Sequence, residues 1–270
     1  MKKTMNLYHK RLYVFDKGQP REAIIRNYTE RDFAALIRIQ QESFPPPFPS
    51  ELWWNEAQLR EHITRFPEGA LCVELGGELV GSMTALLVHH KLGDAHGADD
   101  GTNTKSAASS AGVDEGAGYN AGSSANITRN SRGDHSWAAM TDDGYIRNHQ
   151  PDGDTLYIVD VCIRPASRKL GLGKLLMQAM YELTVQLGLV RLLGGGRMPG
   201  YHKVAEAVTI EQYVQGILEG RYKDPVITFL LRCGRTPMQV VPNYLDDEES
   251  CHYGLLMEWR NPFRTAFYNS

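Results

Sequence analysis

The chain offers cysteine only singly. Cys72, Cys162, Cys233 and Cys251 stand far apart. Without a C-x-x-C pair, zinc-finger and thioredoxin-like redox chemistry are excluded, and reduced, buried thiols in a cytoplasmic protein are expected. The sequon Asn126-Ile127-Thr128 would then stay unglycosylated. The histidines are scattered, and adjacent His89-His90 would point to opposite faces of a strand, so no metal site is expected. No apolar run is long enough to span a bilayer. The mildly basic residues 1–11 lead into none, so neither a membrane segment nor a signal peptide is expected. A formal net charge of -3 supplies no drive toward nucleic acid or an anionic membrane surface.

Large apolar residues are also nearly missing from residues 93–133, where only Val113, Tyr119 and Ile127 occur among Gly, Ala, Ser, Asn and Asp. Such a stretch cannot bury enough surface to offset its ordering entropy. It reads as a flexible insertion that interrupts a core without dividing it, because strand-like sequence resumes at Leu156. The expected organisation is an N-terminal extension over residues 1–22, a single domain over 23–260 carrying that insertion, and a tail over 261–270.

Composition is otherwise that of a globular protein, and 270 residues suffice for one good core. Residues 23–28 read as a first strand. Thr29 with Asp32 resembles a capping box for a helix bearing Phe33, Leu36, Ile37 and Gln40. After the prolines at 45–49, Ser50 is expected to cap a second helix with Leu52, Trp53, Leu59 and Ile63. Residues 71–75 and 79–88 read as a hairpin around Gly76-Gly77. Residues 156–163 are a further apolar strand, and Leu172, Leu176, Met180 and Leu183 mark an amphipathic helix that stops at Gly188. Residues 189–193 read as a strand broken by Gly194-Gly195-Gly196, followed by two short helices and two last strands. The total is about seven strands and four or five helices, intermixed, which is a mixed α/β domain.

Between the strand at 156–163 and the long helix lies Arg168-Lys169-Leu170-Gly171-Leu172-Gly173-Lys174. A strand, a glycine turn and a helix start aim backbone N–H groups and the positive end of a helix dipole at one point, where an anion can sit. Glycine lets a phosphate approach the backbone without meeting a Cβ. A dinucleotide fingerprint fits less well, because the position three after Gly173 is Leu176.

The spacing Arg-x-x-Gly-x-Gly, with Pro165 ahead of it, resembles the acyl-CoA signature of the GNAT acetyltransferase superfamily. The element order over residues 23–260 is similar to the GNAT fold, a central, mostly antiparallel seven-stranded sheet flanked by helices, with the insertion between strands 3 and 4. Three segments, at 44–49, 196–202 and 242–245, further resemble the acetyltransferase module that some bacterial proteins carry ahead of a carbon–nitrogen hydrolase domain.

The resemblance implies acetyl-CoA as co-substrate. Its pyrophosphate would meet the amides of Lys169, Leu170, Gly171, Leu172, Gly173 and Lys174, with Arg168 and Lys174 adding charge. Its pantetheine arm would pair with the backbone of Val161, Cys162 and Ile163, the Val161 N–H facing the acyl carbonyl. The divergence this requires of the next strand suits the Gly194–Gly196 run. Asp160, an acid inside an apolar strand, is the first choice for the base that deprotonates the amine, against the reading of a buried, hydrogen-bonded structural Asp. Tyr157 is the fallback, on the opposite face by simple alternation unless a bulge intervenes. Many relatives supply an acid from a Tyr at the place held here by Leu230; Tyr201 or Tyr222 could substitute, or the thiolate could leave unaided. Pro45 to Phe48 with Trp53 and Trp54 could line an acceptor pocket or serve as a rigid connector. Asp246-Asp247-Glu248-Glu249 could attract an amine or form a solvated turn.

The expected function is transfer of acetyl from acetyl-CoA to an amine on a small molecule or protein, without a covalent enzyme intermediate. The alternative is a non-catalytic acyl-CoA-binding module that docks a partner such as a separate carbon–nitrogen hydrolase. A homodimer is a further possible assembly.

Overall fold

The computed structural model describes residues 7–90 and 135–264. The insertion expected over 93–133 lies outside the described residues. The chain opens with a hairpin of β1 (His9–Asp16) and β2 (Gln19–Asn27), turning at Lys17 and Gly18 with φ of 51° and 79°, as a tight two-residue turn requires. The expected N-terminal extension is therefore corrected: residues 9–22 belong to the sheet, and the boundary at 23 falls inside β2. Among the described residues the sheet has eight strands rather than seven. β1 reads as part of an extension although Leu12-Tyr13-Val14-Phe15 is an apolar run; as an edge strand it buries only Val14 and leaves Tyr13 and Phe15 exposed.

Helix α1 (Phe33–Ser43) follows a 3-10 turn capped by Thr29 and Asp32. Helix α2 (Glu56–Arg65) starts later than expected. Its cap is Asn55, whose side chain accepts from Gln58 N–H, while Ser50 only opens a 3-10 turn. Strands β3 (Ala70–Leu75) and β4 (Glu78–Val88) form the next hairpin. Helix α3 (Trp137–Thr141) then leads to β5 (Thr155–Ile163), α4 (Leu172–Gln186) and β6 (Arg191–Arg197). Helices α5 (Ile210–Leu218) and α6 (Pro225–Arg232) precede β7 (Thr236–Val241) and β8 (Gly254–Arg260).

The strand order is β1-β2-β3-β4-β5-β6-β8-β7, and among the described residues only β5 and β6 pair in parallel. A parallel pair needs a crossover, and α4 supplies it. Leu172, Leu176, Ala179, Met180 and Leu183 of α4 are buried against the sheet. Gly188, at φ 67°, ends the helix, with Leu189 N–H returning to Thr184 O.

Candidate active site

β5 and β6 pair only through Thr155–Arg191, Leu156–Leu192 and Tyr157–Leu193. Beyond that point β5 stays with β4 as far as Ile163, while β6 stays with β8 as far as Arg197. The two strands part and leave a wedge in the middle of the sheet. The three glycines do not end the strand, as the sequence suggested; they lie inside β6 and fit its neighbours. A Cβ on Gly195 would stand 2.2 Å from the Tyr244 ring, and one on Gly196 2.8 Å from Leu230.

The wedge is lined by backbone. Arg164 N–H donates to Val80 O on the β4 side, so by alternation Ile163 and Val161 turn their N–H and C=O groups into the wedge. Arg168 Nε takes the Ile163 carbonyl at 3.0 Å, and Trp137 Nε1 takes that of Val159 at 2.9 Å. Cys162 faces Ser82 instead, Sγ to Oγ 3.3 Å, and burial pushes its thiol far up. It is a packed thiol, not a nucleophile.

At the wide end of the wedge, Lys169 and Gly171 have φ of 68° and 82°. The first bond within α4 is Leu175 N–H to Gly171 O, at 3.1 Å, so the N–H groups of Leu172, Gly173 and Lys174 point out of the helix start. These outward amides lie where the sequence led us to expect an anion cradle. Arg168 braces it: besides Ile163 O it donates from Nη2 to Ser43 O at 3.0 Å, tying β5 to the end of α1. Gly173 has a second reason to be glycine, since a Cβ there would meet the Phe229 ring at 3.3 Å. Gly171→Val should cost about 1–2 kcal/mol of stability, the scale of left-handed strain for an ordinary residue. It should also weaken acetyl-CoA binding at least tenfold, measured by calorimetry. A folded Gly171→Val protein with unchanged affinity would remove the phosphate assignment.

Asp160 sits beside the wedge. Thr84 of β4 pairs with Asp160 and Ala85 with Ile158, so Val159 is one extra residue in β5. The bulge inverts the alternation, and Asp160 and Tyr157 share a face after all. Gln40 Nε2 of α1 donates to Asp160 Oδ2 at 2.9 Å. A little of the Asp160 surface reaches solvent, but protein crowds the carboxyl, and that crowding governs its charge. Burial pushes its pKa up to about 6, while hydrogen bonds from Gln40, Trp54, the Val161 N–H and Cys162 pull it back toward the ionised form.

Tyr157 is fully buried, with its hydroxyl 3.4 Å from that of Tyr244. Tyr201 is not brought to this group: its hydroxyl donates to Val208 O at 3.2 Å beyond β6. Leu230, at the place where the resemblance implied a tyrosine, packs on Gly196. A cavity of about 340 Å³ near Gly200, Tyr213 and Lys223 has no β5 residue in its walls and is separate from the wedge. Among the described residues no group of side chains could hold a metal ion, and no helix is long and apolar enough to cross a membrane.

Of the residues around Asp160, the sequence offered Gln40 only as part of a helix face and Trp54 only as pocket lining or connector, and did not single out His62. Gln40 also accepts from Trp54 N–H at 3.4 Å, and Trp54 packs edge-on to His62 and 6.2 Å from Trp137. His62 lies between Tyr28 hydroxyl, at 2.8 Å, and Gly144 carbonyl, at 2.6 Å. Burial lowers its pKa to about 4, so it is neutral and structural. A buried glutamine on an otherwise apolar helix face was the available signal for Gln40. The acidic tract is only partly solvated: Asp247 is buried and grips Arg197 with two bonds of 2.8 Å, and Arg197 lies over the Phe48 ring. That fits Phe48 better as part of a rigid connector than as free pocket lining.

Residues 115–197 match the model of the Acetyltransferase (GNAT) family. The chain is 49% identical over 255 residues to an uncharacterized N-acetyltransferase, YkwB, of Bacillus subtilis (strain 168), covering 94% of this chain and 96% of that protein. It is 34% identical over 242 residues to a probable hydrolase, YhcX, of the same organism, covering 89% of this chain but 39% of that longer protein. Among solved structures, the loading GNATL domain of CurA from Lyngbya majuscula superposes with a TM-score of 0.63 at 16% identity, over 90% of this chain and 99% of that one, which shows the shared fold.

Proposed function

Because the chain belongs to the GNAT acetyltransferase family and is an acyltransferase of that type, we propose that it transfers acetyl from acetyl-CoA directly to an amine. The observation that carries this reading is the parting of β5 from β6 beside a helix start with outward amides. The amides from Lys169 to Lys174 hold the pyrophosphate, and the backbone of Val161 and Ile163 holds the pantetheine arm. The thioester supplies the activated acyl carbon. Asp160 accepts the proton of the attacking amine, and Gln40 keeps its carboxyl oriented. With a pKa near 6 the carboxyl is mostly ionised at neutral pH and ready to act as a base. Nothing in the site supplies a covalent nucleophile, since Cys162 is buried against Ser82.

Acetyl-CoA offered with a panel of polyamines, amino sugars, amino acids and peptide amines, read by free thiol, tests the proposal. Acceptor-dependent release of CoA is expected. Tight binding with no thiol release from any amine would replace it with a non-catalytic acyl-CoA module. The match to part of a probable hydrolase would then favour a separate hydrolase as the docking partner.

A further inference from the structure

The arginines in the protein interior are paired, with one exception. Arg26 meets Asp32 and Glu74, Arg191 meets Glu258, and Arg197 meets Asp247 and Glu249. Arg235 is 3% exposed and has no carboxylate partner among the described residues. Its Nη2 donates to the carbonyls of Gly194 and Met257. Its Nε is buried with no partner at all. The hydroxyls of Tyr181, Tyr157 and Tyr244 and the thiol of Cys233 act on it electrostatically, and burial lowers its pKa to about 10. It therefore stays a cation at neutral pH. An uncompensated buried charge is among the costliest features a fold can carry.

The position of this cation is informative. Gly194 is the first β6 residue past the last β5–β6 pair, so it marks the closed end of the wedge. A Cβ on Gly194 would stand 3.1 Å from Ile158 Cβ and 3.4 Å from Arg235 Nη1. The guanidinium thus lies where the wedge closes, with donors unspent. An acyl group carried along the wedge would extend toward it; this step rests on the acyl-CoA reading above.

We propose that Arg235 recognises a carboxylate at the far end of the acyl group, so that the site takes acyl-CoA esters of short dicarboxylic acids in addition to acetyl-CoA. A planar guanidinium fork matches a carboxylate with two charge-assisted hydrogen bonds and would be neutralised by it. The transfer itself is balanced as for acetyl. The C–S bond breaks and an N–C bond forms. The amine proton passes to Asp160, CoA leaves as a thiolate that takes up a proton, and the distal carboxylate is retained.

Calorimetry of the full chain at pH 7 with acetyl-CoA, malonyl-CoA and succinyl-CoA provides the test. At least one dicarboxylic ester is expected to bind roughly 10- to 100-fold more tightly than acetyl-CoA, the range for a hydrogen-bonded charge pair. In Arg235→Met and Arg235→Lys that ratio is expected to fall toward about one, because lysine keeps the charge but not the fork. Equal or weaker binding of both dicarboxylic esters by the unaltered protein overturns the proposal without any variant having to fold. So does a preference that survives both substitutions. If acetyl-CoA binds and no preference appears, only this inference fails; if none of the three esters binds, the acyl-CoA reading fails as well.

Discussion

Asp160→Asn is expected to lower turnover by roughly 10²-fold or more, the scale for losing a general base, while the folded protein becomes no less stable. The two effects have one origin. Burial holds the Asp160 carboxyl at a pKa of about 6, above the roughly 3.9 of an unfolded aspartate. The folded state therefore binds its proton more tightly. That advantage is complete below the unfolded value and is lost as pH rises through about 6, so at neutral pH the ionised carboxylate is a net cost to folding. Asparagine removes the charge and can still accept from Gln40 Nε2. Its melting temperature at pH 7 should equal or exceed that of the unaltered protein, and the difference should shrink toward pH 4. In the unaltered protein kcat/KM should rise with pH through an apparent pKa near 6; in Asp160→Asn that limb should vanish. A stable variant with near-normal turnover across this range would assign Asp160 a purely structural role. A variant that lost activity only in proportion to its unfolded fraction would do the same.

Gly195→Ala is expected to destabilise the fold by about 3 kcal/mol, the upper end of the cost of overpacking a core. The added Cβ would stand 2.2 Å from Tyr244 Cζ and 2.4 Å from its hydroxyl oxygen. The ring has little freedom to retreat. Tyr244 is buried, its N–H is held by His252 O at 2.8 Å, and its carbonyl takes Trp137 N–H at 2.7 Å. A Cβ on Gly254, on the same sheet face, would meet the Cγ end of the same ring at 2.4 Å, so the ring lies flat over both strands. Chemical denaturation gives the comparison. In a Tyr244→Ala background the cost of Gly195→Ala should fall below about 1 kcal/mol, because contacting residues couple. Equal costs in both backgrounds would show that the ring is not the reason for the glycine.

The glycine turn at 171 and the helix that follows it were legible without coordinates. Gly171 at a left-handed position, the apolar stripe of α4 and the stop at Gly188 are local matters, decided by residues a few places apart. So were the apolar strands and an acid among them at position 160. The errors lie where polar or short-range signals mislead. β1 was missed although Leu12 to Phe15 is an apolar run, because four apolar residues between charged neighbours show neither alternation nor a helical stripe. The start of α2 was placed at Ser50 because Asn55 with Gln58 offers the same kind of cap a few residues later.

What the tertiary structure alone decided is which groups meet. The bulge at Val159 sets Tyr157 and Asp160 on one face, and no pattern within β5 announces it, because a bulge is defined by the register of β4. Gln40 and Trp54 reach Asp160 from a helix and a loop more than a hundred residues earlier in the chain. The glycines of β6 look like a broken strand in sequence and are strand interior in space, since their reason is the Tyr244 ring on one face and Leu230 on the other. Arg235 looks like any basic residue after a helix until burial shows it without a carboxylate. Sequence neighbours set backbone conformation and periodicity, whereas side-chain charge state and fit depend on what long-range packing brings within a few ångströms.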